Sequence, residues 1–216
     1  MVFLIPFLAA FVAYTVGSIN GAIITSRLIY KDDVRNHGSK NAGLTNFIRT
    51  YGKKSALFVL LIDILKSAVP IFLAGLLFTH FLDFATAEER LLIRRIFAGL
   101  CTMLGHCYPL FYKFRGGKGV LSGATTLFFV NLPLFAVLIT LFILIVIFTR
   151  YISLGSVLAG LLFPIGCFVL DLPPMVIILA TLCGGLLIFK HHGNITRLIK
   201  GTENKFSLRR KKEDTQ

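Results

Sequence analysis

Charged residues are scarce in this sequence of 216 residues. Asp, Glu, Lys and Arg together make up 15% of the chain, whereas hydrophobic residues make up 56% and the mean hydropathy is +0.80. A soluble domain of this length needs more charge on its surface to stay in solution. The composition therefore excludes an ordinary soluble protein and predicts a membrane protein.

Acidic residues are scarcer still, with 10 Asp and Glu against 23 Lys and Arg. The basic residues fall mainly between apolar runs and in the segment from Lys190 onward. Basic stretches that alternate with membrane-length apolar stretches suit anionic lipid headgroups and phosphate-bearing substrates. We therefore predict membrane lipids as partners and no nucleic acid.

Several chemical signatures are missing. The four cysteines have no C-x-x-C spacing, so neither a zinc site nor a disulfide framework is indicated. The pair His191-His192 has no accompanying carboxylate or Cys cluster, so we predict no metal. There is no G-x-S-x-G motif, which argues against a covalent acyl-serine. None of the five histidines has Asp five residues later, so the His-x4-Asp base of other acyltransferases is absent.

Apolar stretches long enough to cross a bilayer recur along the chain, and each crossing helix needs about 20 residues. The stretch 120–148 is too long for one untilted crossing, and Asn131-Leu132-Pro133 offers a break inside it. The N-terminus lacks the basic region of a cleaved signal, so we expect the first stretch to be retained. The predicted spans are Val2–Ile24, Ser55–Leu82, Leu91–Phe111, two within Val120–Phe148, Ile152–Leu170 and Pro174–Phe189.

The positions of the basic residues predict the orientation. Lys and Arg concentrate in segments 31–54 and 113–118 and in the tail from Lys190. The positive-inside rule places all three segments in the cytoplasm, which requires an even number of crossings between Lys118 and Lys190. We therefore predict a single-domain, all-α bundle of seven transmembrane helices over residues 1–216, with the N-terminus outside and the C-terminus cytoplasmic.

One group of basic residues falls on the outer side in this arrangement. It consists of Arg90, Arg94 and Arg95. We predict that they form an amphipathic start of the third span, partly balanced by nearby acidic residues.

Two glycine-rich cationic loops fall on the predicted cytoplasmic face. The first is His37–Asn46, followed by Arg49, and its small residues leave backbone amides free to converge on an anion. The planar fork of Arg49 suits phosphate. The second is Phe114–Gly119, where Lys118 precedes a helix; Gly119 stands where a nucleotide-hydrolysing loop has Ser or Thr. Together the loops predict binding of two phosphate-bearing molecules, with an apolar tail left in the bilayer.

Polar residues inside the spans have a structural interpretation. Asp63 and Lys66 are three residues apart and share a helix face, so we expect them to neutralise each other or to face a polar cavity. His106 is predicted to be a hydrogen-bonded structural residue. A small transporter with Asp63 and Lys66 along its path is the alternative function. The absence of inverted repeats and the clustering of polar residues on one face argue against it.

Six motifs occur in order: GSIN at Gly17, HGSKNAGLTNFIR from His37, DILK at Asp63, GHCYPLFYKFRGGKGV from Gly105, YISLGS at Tyr151, and HHGNITRLIKGTENK from His191. Through these motifs, from Gly17 to about Lys205, the chain resembles the PlsY family, the acyl-phosphate-dependent glycerol-3-phosphate acyltransferases of bacteria. It departs from the usual motifs at Lys40 and at His192-Gly193, among other positions. We expect these departures to affect rate and substrate preference rather than reaction class.

The resemblance implies a seven-helix protein of the bacterial cytoplasmic membrane whose active site faces the cytoplasm. It also implies transfer of an acyl group from acyl phosphate to the sn-1 hydroxyl of glycerol 3-phosphate, without a cofactor. By motif position, the expected catalytic residues are Ser39, Arg49, Lys118 and His191. The residues expected to bind substrate or phosphate are Gly38, Asn41, Thr45, Asn46, Gly116, Gly117, Ser153 and Asn194.

Overall fold

The structure is a computed structural model that describes residues 4–77 and 86–206, and every regular element in these two ranges is helical. The α-helices are α1 Leu4–Gly17, α2 Gly21–Tyr30, α3 Leu44–Tyr51, α4 Ala56–Leu77, α5 Ala87–Cys107, α6 Val120–Val130, α7 Leu132–Thr149, α8 Ile152–Val169, α9 Pro174–Lys190 and α10 His192–Ile199. Short 3₁₀ turns at Val34–Asn36 and Leu110–Tyr112 lie in the loops. The predicted all-α class is confirmed for these residues.

Within the described residues, four helical segments are long and apolar enough to cross a membrane: Leu4–Tyr30, Ala56–Leu76, Leu132–Thr149 and Ile152–Val169. A fifth results if α9 and α10, which are bent by 60° at a short break, count as one span. Two other predicted spans differ from this pattern. Helix α5 carries five charges in its first nine residues, and α6 has 11 residues, a length of about 17 Å. The bilayer core is about 30 Å thick, so α6 alone does not reach across it.

The predicted break within residues 120–148 is present. Asn131 separates α6 from α7, and its Oδ1 accepts the backbone N–H of Leu134 at 2.8 Å. Pro133 lies in the first turn of α7, where its missing N–H leaves no helical hydrogen bond unmade. The cap and the proline thus restart the helix.

The start of α5 carries the three arginines that the positive-inside rule leaves on the outer side, but Arg94 is buried there, so the amphipathic start stays a prediction. The helix begins at Ala87 with a capping box, in which Thr86 Oγ1 accepts the N–H of Glu89 and the Glu89 carboxylate accepts the N–H of Thr86. The three arginines follow in the first turns of this helix. The predicted second span extends to Leu82, and its last five residues lie outside the described residues.

Helix α5 packs against α1, α4, α6 and α9, so it forms the centre of the bundle. Glycines bring the helix backbones into contact. A Cβ added to Gly105 would lie 2.2 Å from the carbonyl oxygen of Tyr14, and one added to Gly184 would lie 2.2 Å from that of Gly160. Such contacts between small residues are typical of helix packing in membranes. The contact at Gly105 holds the end of α5 that carries His106 against α1.

Candidate active site

A cavity of about 680 Å³ is lined by the two glycine-rich loops, by helices α3 to α10, and by the segment after α10. Its polar lining comes from the loops and from the helix ends beside them. Its apolar lining lies further along the helices, and includes Leu127, Phe135 and Phe163. Phe163 is ten residues after Ser153 on α8, or about 15 Å along the helix. One cavity therefore joins a polar part to an apolar part.

Most of the predicted site residues meet in this cavity, although they come from distant parts of the sequence. Those that line it are Ser39, Asn41, Thr45, Asn46, Arg49, Lys118, Ser153, His191 and Asn194. Three predicted residues are not among the lining residues: Gly38, Gly116 and Gly117.

The three remaining glycines allow close packing of the loops. A Cβ added to Gly116 would lie 2.0 Å from the backbone oxygen of His106, and one added to Gly117 would lie 2.1 Å from His106 Nε2. Gly38 has a positive φ of 54°, and an added Cβ would lie 2.5 Å from Asn46 Oδ1. A side chain at any of these positions would displace the loop.

Asn46 organises the first loop from its centre. Its Oδ1 accepts the backbone N–H of Ser39 at 2.9 Å. Its Nδ2 lies 3.1 Å from the carbonyl oxygens of Val34, His37 and Asn41. Asn46 is 1% exposed, and its amide fixes the conformation of the loop by hydrogen bonds within it and to the preceding Val34.

A carboxylate that the sequence analysis missed connects the polar residues of the cavity. Glu203 Oε1 accepts hydrogen bonds from Asn194 Nδ2 at 2.7 Å and from Ser153 Oγ at 2.9 Å. Glu203 Oε2 pairs with Arg197 Nε at 2.7 Å. Lys118 Nζ donates to Asn194 Oδ1, which extends the network to the second loop. The network therefore holds α8, α10 and the loop before α6 together.

Charge is preserved at both ends of this network. Burial lowers the pKa of Lys118 to about 8, although the charge of Glu203 acts in the opposite direction. Burial acts to raise the pKa of Glu203, but hydrogen bonds from Asn194, Ser153 and Arg197 together hold that pKa below its ordinary value. Near neutral pH, Lys118 is therefore mostly cationic and Glu203 is anionic.

His191 and Arg49 complete the polar lining. His191 Nδ1 lies 2.8 Å from the carbonyl oxygen of Leu187, so Nδ1 carries the proton and Nε2 is the acceptor of the neutral ring. Arg49 Nη2 donates to the carbonyl oxygen of Asn204 at 3.2 Å. In residues 4–77 and 86–206, no three His, Cys, Asp or Glu side chains cluster as metal ligands do.

The segment after α10 returns over the cavity. The N–H of Phe206 donates to the carbonyl oxygen of Arg150 at 2.7 Å, and Glu203 and Asn204 line the cavity beside it. One signal in the sequence points to Glu203, which is the only acidic residue between Lys190 and Lys212. A lone carboxylate in such a basic segment is expected to pair. Lys40, the departure in the first loop, also lines the cavity.

The sequence profile described as glycerol-3-phosphate acyltransferase matches residues 7–201. The chain belongs to the glycerol-3-phosphate acyltransferase family. The family member from Finegoldia magna is 38% identical over 201 residues, covering 90% of this chain and 92% of that protein. The family member from Trichlorobacter lovleyi is 41% identical over 196 residues, covering 90% and 94%.

Solved structures extend the match to the fold. The crystal structure of PlsY, an integral membrane glycerol 3-phosphate acyltransferase, in its glycerol 3-phosphate form has a TM-score of 0.83 and 33% identity. The match covers 94% of this chain and 96% of that one. The lysophosphatidic acid form has a TM-score of 0.80 and 31% identity, with the same coverage. The predicted membership of the PlsY family is therefore confirmed, and this glycerol-3-phosphate acyltransferase is a multi-pass membrane enzyme.

Proposed function

We propose that this enzyme transfers a fatty acyl group from acyl phosphate to the sn-1 hydroxyl of glycerol 3-phosphate, giving lysophosphatidic acid and inorganic phosphate. The observation that carries the proposal is the single cavity that joins a cationic polar part to an apolar part. Acyl phosphate has this division, with an anionic head and a hydrocarbon tail. Phosphate release from such a mixed anhydride becomes easy once its charge is offset.

In this proposal the second loop and Ser39 bind the phosphate of the donor. Lys118 is cationic near neutral pH and lines the polar part of the cavity. It would offset the charge that develops on the leaving phosphate, together with Ser39 and backbone amides. Gly116 and Gly117 would keep the second loop close to the cavity, and Gly38 would do so for the first loop.

A different set of side chains would bind the acceptor, glycerol 3-phosphate. Arg49, His191 and Asn194 would position glycerol 3-phosphate for direct attack, with Arg49 binding its phosphate. Ser153 and Asn194 are held by Glu203, which would fix their orientation before substrate arrives. The remaining predicted site residues that line the cavity are assigned to substrate binding or loop shape: Asn41, Thr45 and Asn46.

The chemical step needs no covalent enzyme intermediate. The sn-1 oxygen attacks the acyl carbonyl carbon, and the bond from that carbon to the phosphate oxygen breaks. The phosphate leaves with the bonding electrons. The hydroxyl proton passes to His191 Nε2, which is the acceptor nitrogen of that ring, or to a phosphate oxygen of the substrate.

We also propose a single domain of seven membrane-crossing helices, with the N-terminus outside and the C-terminus in the cytoplasm of a bacterial cell. The three basic segments that the positive-inside rule assigns to the cytoplasm supply most of the polar lining of the cavity. The active site would therefore face the cytoplasm from the cytoplasmic membrane.

The test is phosphate release from palmitoyl phosphate by purified protein, with and without glycerol 3-phosphate. We expect release to depend on glycerol 3-phosphate and to equal the lysophosphatidic acid formed. Lys118→Ala should lower turnover strongly, whereas Lys113→Ala, at an exposed position just before the same loop, should not. Folded protein that releases no phosphate, or releases it without the acceptor, would contradict the proposal.

A further inference from the structure

A buried triad, made of an ion pair and a histidine, lies where α4 meets α5. Asp63 and Lys66 are one turn apart on α4, and Lys66 Nζ lies 2.7 Å from Asp63 Oδ1, with both side chains at most 2% exposed. Lys66 Nζ also lies 2.7 Å from Nδ1 of His106, near the end of α5. Asp63 and His106 line the substrate cavity. Neither the acyl transfer step nor the substrate contacts proposed above use these three groups.

The geometry fixes the protonation pattern of His106. An ammonium group can only donate hydrogen bonds, so His106 Nδ1 must accept from Lys66. A second positive charge on the ring would be repelled by the adjacent ammonium. His106 is therefore neutral, and its proton is on Nε2.

The triad reaches the second loop through His106. The ring edge at Nε2 packs against Gly117, since a Cβ added there would lie 2.1 Å away. The backbone oxygen of His106 accepts the N–H of Gly117 at 3.0 Å. Gly117 immediately precedes Lys118, so the orientation of the His106 ring affects the position of the Lys118 ammonium group.

The triad reaches the first loop through Asp63. Its Oδ1 accepts the N–H of Gly21 at 3.1 Å. The preceding residue, Asn20, donates from Nδ2 to the carbonyl oxygen of Ala42 at 3.1 Å. Ala42 lies within the first loop, between Asn41 and Gly43. One buried ion pair is thus connected to both substrate-facing loops.

We propose that Asp63 and Lys66 are positioning residues, which set the distance between the two loops by holding Asn20 on one side and the Nε2–H tautomer of His106 on the other. The proposal rests on the proposed function, because the phosphate groups that the two loops bind are those of its substrates. A positioning role can be told apart from a stabilising role. Replacing a buried ion pair with neutral side chains often leaves the stability of the fold unchanged.

The variants are Asp63→Asn/Lys66→Met, which keeps the site neutral but removes the donor to His106, and Lys66→Gln, whose amide still donates. Ser67→Ala is the matched control. Ser67 is buried on the same helix beside Lys66, and it hydrogen-bonds with Ser122 at 2.9 Å rather than with either loop. The readouts are the ¹⁵N NMR spectrum of the five histidines and the KM and kcat for acyl phosphate.

We expect the wild type, Lys66→Gln and Ser67→Ala to show the Nε2–H tautomer at His106. The NMR signals of His106 are assigned as those that disappear in His106→Gln. The double variant should lose that tautomer and lower kcat/KM by about 10²-fold, mainly through KM, because misplacement by about 1 Å has this effect. His106→Gln leaves the ion pair in place, and its KM should rise in the same way.

A folded double variant that keeps both the tautomer and KM would overturn the proposal. If the double variant does not fold, folded His106→Gln with an unchanged KM would overturn it instead. The tautomer of His106 is measured by NMR in the enzyme without substrate. Wild-type protein that shows the tautomer but transfers no acyl group would therefore count against the proposed function and not against the orientation of His106 by Lys66.

Discussion

Glu203 is the residue at which the hydrogen bonds of the polar cavity converge. Its carboxylate accepts from Ser153 and Asn194 and pairs with Arg197, and its side chain is 6% exposed. Hydrogen bonds to an ionised group are stronger than neutral ones. The carboxylate therefore keeps three donors in place in a region where cations dominate.

We expect Glu203→Gln to lower kcat/KM. The substitution removes the charge that pairs with Arg197 and brings amide hydrogens against groups that are themselves donors. Lost hydrogen bonds to a charged group correspond to roughly a tenfold or larger decrease. Steady-state kinetics would measure it, with Glu88→Gln at an exposed position of α5 as the control. Equal kinetics for the two variants would contradict the assigned importance of Glu203.

We expect the charge of Lys118 to set an alkaline limit on activity. Its pKa is lowered to about 8, so the ammonium is present below that pH and is lost as the pH rises through it. The kcat/KM for acyl phosphate should then fall above about pH 8, since this ratio reports groups of the free enzyme. Lys118→Arg should move the fall to higher pH, because arginine stays protonated.

The matched control for this pH profile is Lys113→Arg. Lys113 is exposed and lies five residues before Lys118. Its replacement should leave the alkaline fall where it is. A fall that also stays near pH 8 in Lys118→Arg would show that another group titrates there.

At the scale of elements, the join between α6 and α7 can be tested separately from catalysis. Asn131→Ala removes the cap on Leu134 N–H and should lower the free energy of unfolding by about 1 kcal/mol. Asn131→Ser, which retains a capping hydroxyl, should recover most of that loss. Thermal unfolding in detergent would measure both.

KM serves as the internal control for this prediction. Asn131 lies at the opposite end of α6 from Lys118, so both variants should keep the wild-type KM. A lower unfolding temperature in Asn131→Ser equal to that in Asn131→Ala would mean that the side chain does not act as a cap.

The long apolar helices could be predicted from the sequence, because hydropathy alone decides them. The break at Asn131 could be predicted too, since Pro and Asn interrupt helices locally. The break between α1 and α2 falls inside the single predicted span Val2–Ile24 and was not predicted. The short helices α3 and α10 were not predicted, because each has only eight residues and is far shorter than a membrane crossing. The return of residues 201–206 over the cavity depends on partners as distant as Arg49 and Arg150.

The site could be predicted only in part. Ser153, His191 and Asn194 were expected on one membrane face from the spans between them, and the motifs suggested their roles. The packing of Gly116 and Gly117 against His106 could not be predicted, because it depends on the distance between α5 and the following loop. No local pattern in the sequence encodes that distance.

At the scale of the whole molecule, helix length and composition support four or five spans in residues 4–77 and 86–206, whereas the basic segments favour seven. The two counts of spans differ at α5, whose first turns are charged, and at α6, which is short. They also differ at α9, which is long enough to cross the membrane only together with α10. Packing between neighbours can keep such helices in a bilayer, because buried charges need not face lipid.

The topology can be measured with single cysteines introduced into a cysteine-free variant. With an impermeant maleimide on intact cells, we expect labelling of Glu88→Cys and none of Lys54→Cys or Lys200→Cys until the membrane is permeabilised. The positive-inside rule gives this pattern for seven spans. Labelling of Lys200→Cys from outside would mean an odd number of crossings between Lys118 and Lys190.

The return of the segment after α10 has a consequence for the order in which the enzyme is made. The ribosome adds residues from the N-terminus, so all ten described helices and both loops are synthesised before Glu203. A chain interrupted after Ile199 already holds every described helix, but Ser153, Asn194 and Arg197 still lack their shared carboxylate. The helices of a nascent chain can therefore insert and pack before Glu203 fixes the positions of Ser153, Asn194 and Arg197. The active site is then the last part of the enzyme to form.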